Sequence, residues 1–155
     1  MNKTNAMRIL EQHGASYISH SYESGTALSA VEVARALDRE PARIFKTLVT
    51  VGRSGQHYVF IIPGPQELDL RKAAAATGEK SIEMILSKEL LPLTGYVHGG
   101  CSPLGMKKFF PTRIHGSAAD WETIIISAGK IGLQMELSLE ELGKALPFQL
   151  SDLTQ

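Results

Sequence analysis

Ile44-Phe45-Lys46-Thr47-Leu48-Val49-Thr50-Val51 and His57-Tyr58-Val59-Phe60-Ile61-Ile62 flank the pentapeptide Gly52-Arg53-Ser54-Gly55-Gln56. Both flanks are rich in β-branched and aromatic residues, and the link between them is polar and holds two glycines. That pattern predicts two strands joined as a hairpin. Apolar side chains occupy both strand faces in Ile44–Val49, so both faces of this sheet are expected to be covered. Lys46 breaks the pattern, because alternation puts it on the same face as Ile44 and Leu48. An ammonium buried there costs free energy unless an anion or a good acceptor meets it. The competing reading is a lysine whose stem lies along the sheet and whose charge reaches solvent at the strand end.

Outward from the hairpin, helices and strands alternate. Thr4 or Asn5 is an N-cap signal for a helix carrying Ala6, Met7, Ile9 and Leu10 and ending at Gly14, and Tyr17 to Tyr22 reads as a short strand. Ser29-Ala30-Val31-Glu32 is a capping box, followed by the apolar stripe Val33, Ala34 and Leu37, with Pro41 closing the region. Beyond the stop Pro63-Gly64-Pro65, Asp69 is placed to cap a helix through Ala73–Ala76 that Gly78 terminates. A strand is expected near Ser81–Ile85. Ser87 then caps a short helix ended by Pro92 and Gly95. Thr112–His115 and Thr123–Ser127 read as strands, Gly129-Lys130-Ile131-Gly132 as a turn into Leu133–Leu137, and Ser138-Leu139-Glu140-Glu141 as a second capping box for a last helix ending near Leu146. No repeat or linker divides the chain, so residues 1–155 are expected to form one α/β domain around a mixed sheet.

Composition narrows the function classes. The 155 residues are 43% hydrophobic and 21% charged, which is ordinary for a globular chain and argues against disorder. A chain of this size buries roughly 70% of its unfolded surface and needs no disulfide or metal staple. Sixteen basic residues balance sixteen acidic ones, so strong nucleic-acid binding by bulk electrostatics is excluded and contact must come from a local patch. The single cysteine forms no internal disulfide and suits a reducing compartment. The apolar runs are far too short to span a bilayer, and the N-terminal segment is not an apolar signal core. A cytoplasmic protein with no membrane association is the expectation.

Several segments carry candidate chemistry beside Lys46. In Gly99-Gly100-Cys101-Ser102-Pro103-Leu104-Gly105 the glycines allow close backbone approach, and successive N–H groups can form an oxyanion nest. The loop nearly imitates a phosphate loop, but Met106 stands where the lysine belongs. Cys101 has His98 nearby in sequence, yet a lone cysteine is more often a packing residue. Lys107-Lys108-Phe109-Phe110 offers a phosphate and a base contact together, and Arg35, Arg39 and Arg43 add positive charge near the approach to Lys46. Ser127 ends the apolar Ile124-Ile125-Ile126, where its hydroxyl can orient a ligand or serve an ordinary turn. The five histidines form no metal-ligand spacing, and neither a nucleophile elbow nor a dinucleotide fingerprint is present, so no metal or cofactor is expected.

Phe45-Lys46-Thr47-Leu48-Val49, Pro63-Gly64, Glu67-Leu68-Asp69-Leu70, Thr94-Gly95-Tyr96-Val97, the run Gly99 to Lys108 and Ser127-Ala128-Gly129-Lys130 share order and approximate spacing with one family over nearly the whole chain. Together they resemble the YbaK/EbsC family of free-standing aminoacyl-tRNA deacylases, related to the editing domain of bacterial prolyl-tRNA synthetases. The resemblance implies a mixed α/β fold with a curved, barrel-like sheet and surrounding helices. It implies hydrolytic removal of a wrongly attached amino acid from tRNA, with Cys-tRNA(Pro) as the leading substrate and Cys-tRNA(Cys) as a second. It places Lys46 at the centre of catalysis with Gly99 and Gly100, and puts Tyr22, Thr47 and Ser127 in the same pocket. Lys107 and Lys108 are expected as further substrate contacts. Two departures stand out: Cys101 occupies a position where relatives commonly carry an aliphatic residue, and Ile131 one where many carry a basic residue.

In the cysteine-specific relatives the substrate's own thiol attacks its ester carbonyl, giving a thiolactone that water opens. The enzyme then supplies positioning and electrostatics rather than a nucleophile. Zero net charge predicts that the protein reads mainly the acceptor end of a mischarged tRNA, and the resemblance implies prolyl-tRNA synthetase as the partner that selects proline tRNA. Three alternatives remain: an Ala-tRNA(Pro) deacylase using water, a non-catalytic acceptor-end or nucleotide-binding module, and a hydrolase built on Cys101.

Overall fold

The Thr4 hydroxyl accepts a hydrogen bond from the Met7 N–H at 3.2 Å and opens helix α1 (Asn5–Gln12), which buries Ala6, Met7 and Leu10. This start agrees with the sequence expectation, as do most elements of the computed structural model, which describes residues 3–155. Strand β1 (Ile18–Ser21) precedes helix α2 (Ala30–Leu37), whose reciprocal capping box joins Ser29 and Glu32. The predicted hairpin is β2 (Phe45–Gly52) and β3 (His57–Pro63), paired antiparallel from Phe45 opposite Pro63 to Val51 opposite His57. Helix α3 (Leu70–Thr77) starts where the Asp69 carboxylate accepts from the N–H groups of Arg71 and Lys72. Then come β4 (Ile82–Met84), helix α4 (Ser87–Thr94), β5 (Thr112–His115), β6 (Ile124–Lys130), β7 (Leu133–Leu137), helix α5 (Leu139–Gly143) and β8 (Gln149–Ser151).

Three details differ from the sequence reading. Ser87 is the first helical residue of α4 and not its cap; Glu89 accepts instead from the Leu86 N–H at 3.0 Å. Pro92 sits inside that helix, which runs two residues further before Gly95 turns it at φ 88°. Helix α5 stops at Gly143, short of the expected Leu146. Strand β8 and the short 3-10 turn Gly116–Asp120 carry too few residues to leave a periodic signal.

The barrel-like sheet implied by the resemblance is not what the chain forms. Among the described residues no sheet closes; there are two, a three-stranded antiparallel sheet in the order β1-β7-β6 and a five-stranded mixed sheet in the order β4-β2-β3-β5-β8. They touch through one parallel bridge, Ile44 to Ile125. The reason lies on both edges. β4 pairs only with Thr50–Gly52 of β2, and β6 shifts register against β7 between Ser127 and Lys130, so β2 and β6 lie side by side without a ladder beyond the bridge.

The main core lies between the two sheets and under α1, with Phe45, Val49, Val59, Ile61, Ile114, Ile124, Ile126, Met135 and Leu142 all buried. Helix α3 covers the other face of the five-stranded sheet through Ala73 and Ala74 against Phe60 and Ile62. Helix α2 seals the junction, packing Val33 and Ala34 on Ile44 and Ile125. Gly64 lies beneath this helix, donating its N–H to the Ile44 carbonyl at 2.7 Å where any Cβ would overlap that of Ala30. No helix among the described residues is long and apolar enough to cross a membrane.

The C-terminal segment is held by His115, whose Nδ1 accepts from the Leu153 N–H at 3.1 Å while Thr154 Oγ1 lies 3.3 Å from Nε2. Accepting at Nδ1 requires the neutral ring. Burial pushes the imidazole below its ordinary value, against the pull of Asp152. A depressed folded value means the contribution is complete above the unfolded value of about 6.5 and is lost as pH falls through the folded one. The thermal midpoint of the wild type is therefore expected to fall more between pH 7 and pH 5 than that of His115→Asn. Equal falls measured by circular dichroism would place the acid sensitivity elsewhere.

Candidate active site

Where β2 and β6 diverge, a cavity of about 320 Å³ opens between the sheets and the N-terminal end of α2. The bridge is parallel, so two residues beyond Ile44 and Ile125 stand Lys46 and Ser127, and both line the cavity. Lys46 is half-buried, neither sealed in the sheet nor free at the strand end. Its ammonium has no ion-pair or hydrogen-bond partner among the described residues, so the anion or acceptor that its position calls for is not a protein group. Beside it, Thr47 Oγ1 is buried without a hydrogen-bond partner. An orphaned buried hydroxyl costs on the order of 1–3 kcal/mol and marks a wall that expects a ligand group.

Ser127 sits at the bulge of β6, and its hydroxyl accepts from the Gly129 N–H at 3.1 Å. The bulge needs Gly129 at φ 100°, with the Tyr96 ring close above it. A bulge re-aims its strand, and here it turns Ser127 to the cavity. Tyr22 follows β1 and reaches the same cavity, with its N–H donating to the Gly132 carbonyl at 2.9 Å.

The glycine loop divides into parts with different roles. Gly99 and Cys101 line the cavity, and their N–H groups have no acceptor among the described residues. Gly99 is held at φ 86°, where a Cβ would come within 2.3 Å of that of Ala27. Gly100 is different: it is buried against the turn at Lys130 and Ile131, and its N–H already donates to the Val97 carbonyl at 3.0 Å. Burial pushes the Cys101 thiol up to about 12, so almost no thiolate exists at neutral pH. His98 lines the cavity too but makes no hydrogen bond to Cys101 or Ser127 among the described residues.

Lys107 and Lys108 are not among the cavity's lining residues. Lys107 donates to the Pro92 carbonyl at 3.3 Å, and Lys108 borders a separate, apolar cavity of about 200 Å³ with Phe109 and Phe110. Arg39 and Arg43 are also committed elsewhere. Glu136, buried on β7, receives Arg43 at 3.0 Å, Arg39 at 3.7 Å, His20 at 2.7 Å and the Thr123 hydroxyl at 2.7 Å. Burial opposes the charge of Glu136, but the hydrogen bonds from Thr123 and His20 and the fields of Arg43 and Arg39 outweigh it and hold the carboxyl below its ordinary range. Arg43 also stacks 5.5 Å from the Trp121 ring. Sequence reasoning missed Gln134, which lines the cavity next to Tyr22; its signal was a glutamine between the apolar Leu133 and Met135, on the same strand face as Glu136. No group of three His, Cys, Asp or Glu among the described residues could hold a metal ion.

Native Cys101 is accordingly expected to react with iodoacetamide at pH 7.5 more than about 100-fold slower than in denaturant. Comparable rates, read by mass spectrometry, would mean an accessible thiolate and revive the cysteine nucleophile.

Comparison with known proteins places this arrangement. A family model of the aminoacyl-tRNA editing domain matches residues 25–145. The chain is 49% identical over 153 residues to a protein of Enterococcus faecalis named as a candidate Cys-tRNA(Pro)/Cys-tRNA(Cys) deacylase, EbsC, covering 98% of this chain and 93% of that one. A proline–tRNA ligase of Thermosipho melanesiensis is 36% identical over 75 residues, 48% of this chain and 13% of the ligase. Among solved structures, a candidate trans-editing enzyme for prolyl-tRNA synthetase superposes with a TM-score of 0.85 at 26% identity, covering 100% of this chain and 99% of that one.

Proposed function

The chain belongs to the aminoacyl-tRNA editing family, and we propose that it is a trans-editing deacylase that removes cysteine from Cys-tRNA(Pro) by letting the substrate's thiol attack its own ester. One observation carries this reading: the cavity holds an unpartnered lysine and free backbone N–H groups but no activated protein nucleophile. Such a site does its chemistry by position and field.

The steps balance without a protein nucleophile. The cysteinyl sulfur gives up its proton to water and bonds to the carbonyl carbon, and the carbonyl oxygen becomes an oxyanion. The N–H groups of Gly99 and Cys101 are the donors available to that oxygen; Gly100 supports the loop, with its own N–H engaged. The tetrahedral centre then collapses, the bond from carbon to the ribose oxygen breaks, and that oxygen takes a proton. Water opens the resulting four-membered thiolactone to free cysteine. The ammonium of Lys46 favours both the thiolate and the oxyanion, while Tyr22, Thr47 and Ser127 hold the aminoacyl and ribose groups. Cys-tRNA(Cys) presents the same ester and is a second substrate of this chemistry.

The protein reads the acceptor end, and zero net charge leaves selection of proline tRNA to prolyl-tRNA synthetase as partner, in the cytoplasm where both work. Lys107 and Lys108 contact tRNA outside the cavity on this reading.

Single-turnover deacylation of Cys-, Ser- and Ala-tRNA(Pro) tests the proposal, because serine keeps the side-chain shape and removes the thiol. Cleavage of the cysteinyl ester alone, reduced at least about 100-fold by Lys46→Ala, is expected. Equal rates on seryl or alanyl esters would make water the attacker, and no cleavage of any would leave a binding module. Cys101→Ser is expected to retain activity within about threefold, given its buried, protonated thiol.

A further inference from the structure

Gln134 is only 5% exposed yet lines the cavity. It stands on β7 opposite Ser127 of β6 and opposite His20 of β1. Its amide nitrogen donates to the Tyr22 hydroxyl at 3.5 Å, and its carbonyl oxygen accepts nothing from the described residues. A buried amide with an unpartnered acceptor, in a side chain that lines a cavity, is a recognition element for a hydrogen-bond donor.

The charge of the cavity selects the donor. No carboxylate lines it, and Lys46 is its ammonium. Glu136, two residues along β7 on the same face, is already taken by His20, Arg39, Arg43 and Thr123. The polar groups that share the cavity or pair with Gln134 are thus His20 from β1, Tyr22 just after it, Ser127 from β6, Lys46 and Thr47 from β2, and His98 just before the glycine loop. None offers negative charge. An α-ammonium entering here would meet Lys46 without a counter-ion, whereas an uncharged amine can donate to a neutral carbonyl oxygen.

Building on the deacylase reading, we propose that the Gln134 carbonyl oxygen holds the α-amino group of the aminoacyl ester and that the cavity takes this group as the free amine. Esters whose amine is blocked are excluded by the same contact. The α-amino group of peptides titrates at about 7.7–8.0, so the preference acts close to neutral pH.

The probe is 3′-alanylamino-3′-deoxyadenosine, an uncleaved amide in which the amine is the group that titrates near neutrality. Binding is measured by calorimetry from pH 5.5 to 8.5 beside its N-acetyl form, which reports any titration of His98 or His20. Affinity for the free-amine probe is expected to rise with pH to a plateau, with the N-acetyl probe at least about 10-fold weaker and lacking that rise. Gln134→Leu is expected to lose about 10-fold on the free amine alone, and Gln134→Glu to reverse the pH trend by pairing with the ammonium. Thermal unfolding confirms that both variants fold. Equal binding of the two probes, or the same pH dependence in both, overturns this role for Gln134 and leaves the deacylase reading intact. No binding of either probe overturns both.

Discussion

One backbone contact, the parallel bridge between Ile44 and Ile125, organises the rest of the molecule. Among the described residues it is the one bridge that joins the two sheets, and α2 is packed over it through Val33 and Ala34. Had β2 and β6 continued to pair, their side chains would have filled the space that is now the cavity. Instead β6 bulges at Ser127 and β2 turns its free edge to the gap. A site between diverging strands has rigid walls on both sides, and its residues are held by ladders elsewhere. Lys46 is fixed by the pairing with Ile62 of β3, Ser127 by the pairing with Gln134 of β7.

Charge is distributed along the same face in two separate compartments. At one end Lys46 is left without a counter-ion; at the other, Glu136 is surrounded by more positive charge than it can neutralise alone. Removing one partner from a buried ionic cluster costs about 3–5 kcal/mol, so Arg43 and His20 belong to the frame of the three-stranded sheet and are not spare ligands. This separation keeps the cavity free of carboxylates. It leaves the cavity with a positive field from Lys46 and no competing anion among the described residues.

Much of the fold was legible because local chemistry and tertiary role agreed. The capping box Ser29–Glu32, the caps at Thr4 and Asp69, and the hairpin around Gly52–Gln56 all form as their residues dictate. Where the reading failed, the cause was a partner that residue type and spacing do not reveal, near or distant in sequence. Pro92 stays inside α4 and the helix runs only two residues beyond it, and Glu89 rather than Ser87 satisfies the N-terminus. Arg39 and Arg43 looked like free positive charge because Glu136 lies roughly a hundred residues away. Gly100 looked like an oxyanion donor because nothing in the loop reveals that its N–H is spent on Val97.

By itself, the amino-acid order determined most of the elements, the caps at Thr4, Ser29 and Asp69, the family resemblance and the identity of Lys46 as a charge in an apolar strand. These are local properties, settled by residue type and spacing within a few positions. Only the tertiary structure decided that the sheets stay open, that Lys46 meets Tyr22, Gly99 and Ser127 while Lys107 and Lys108 lie elsewhere, and that Gln134 joins them. Those outcomes depend on where two strands stop pairing, and strand divergence is set by bulges, edges and packed helices acting together over the whole chain.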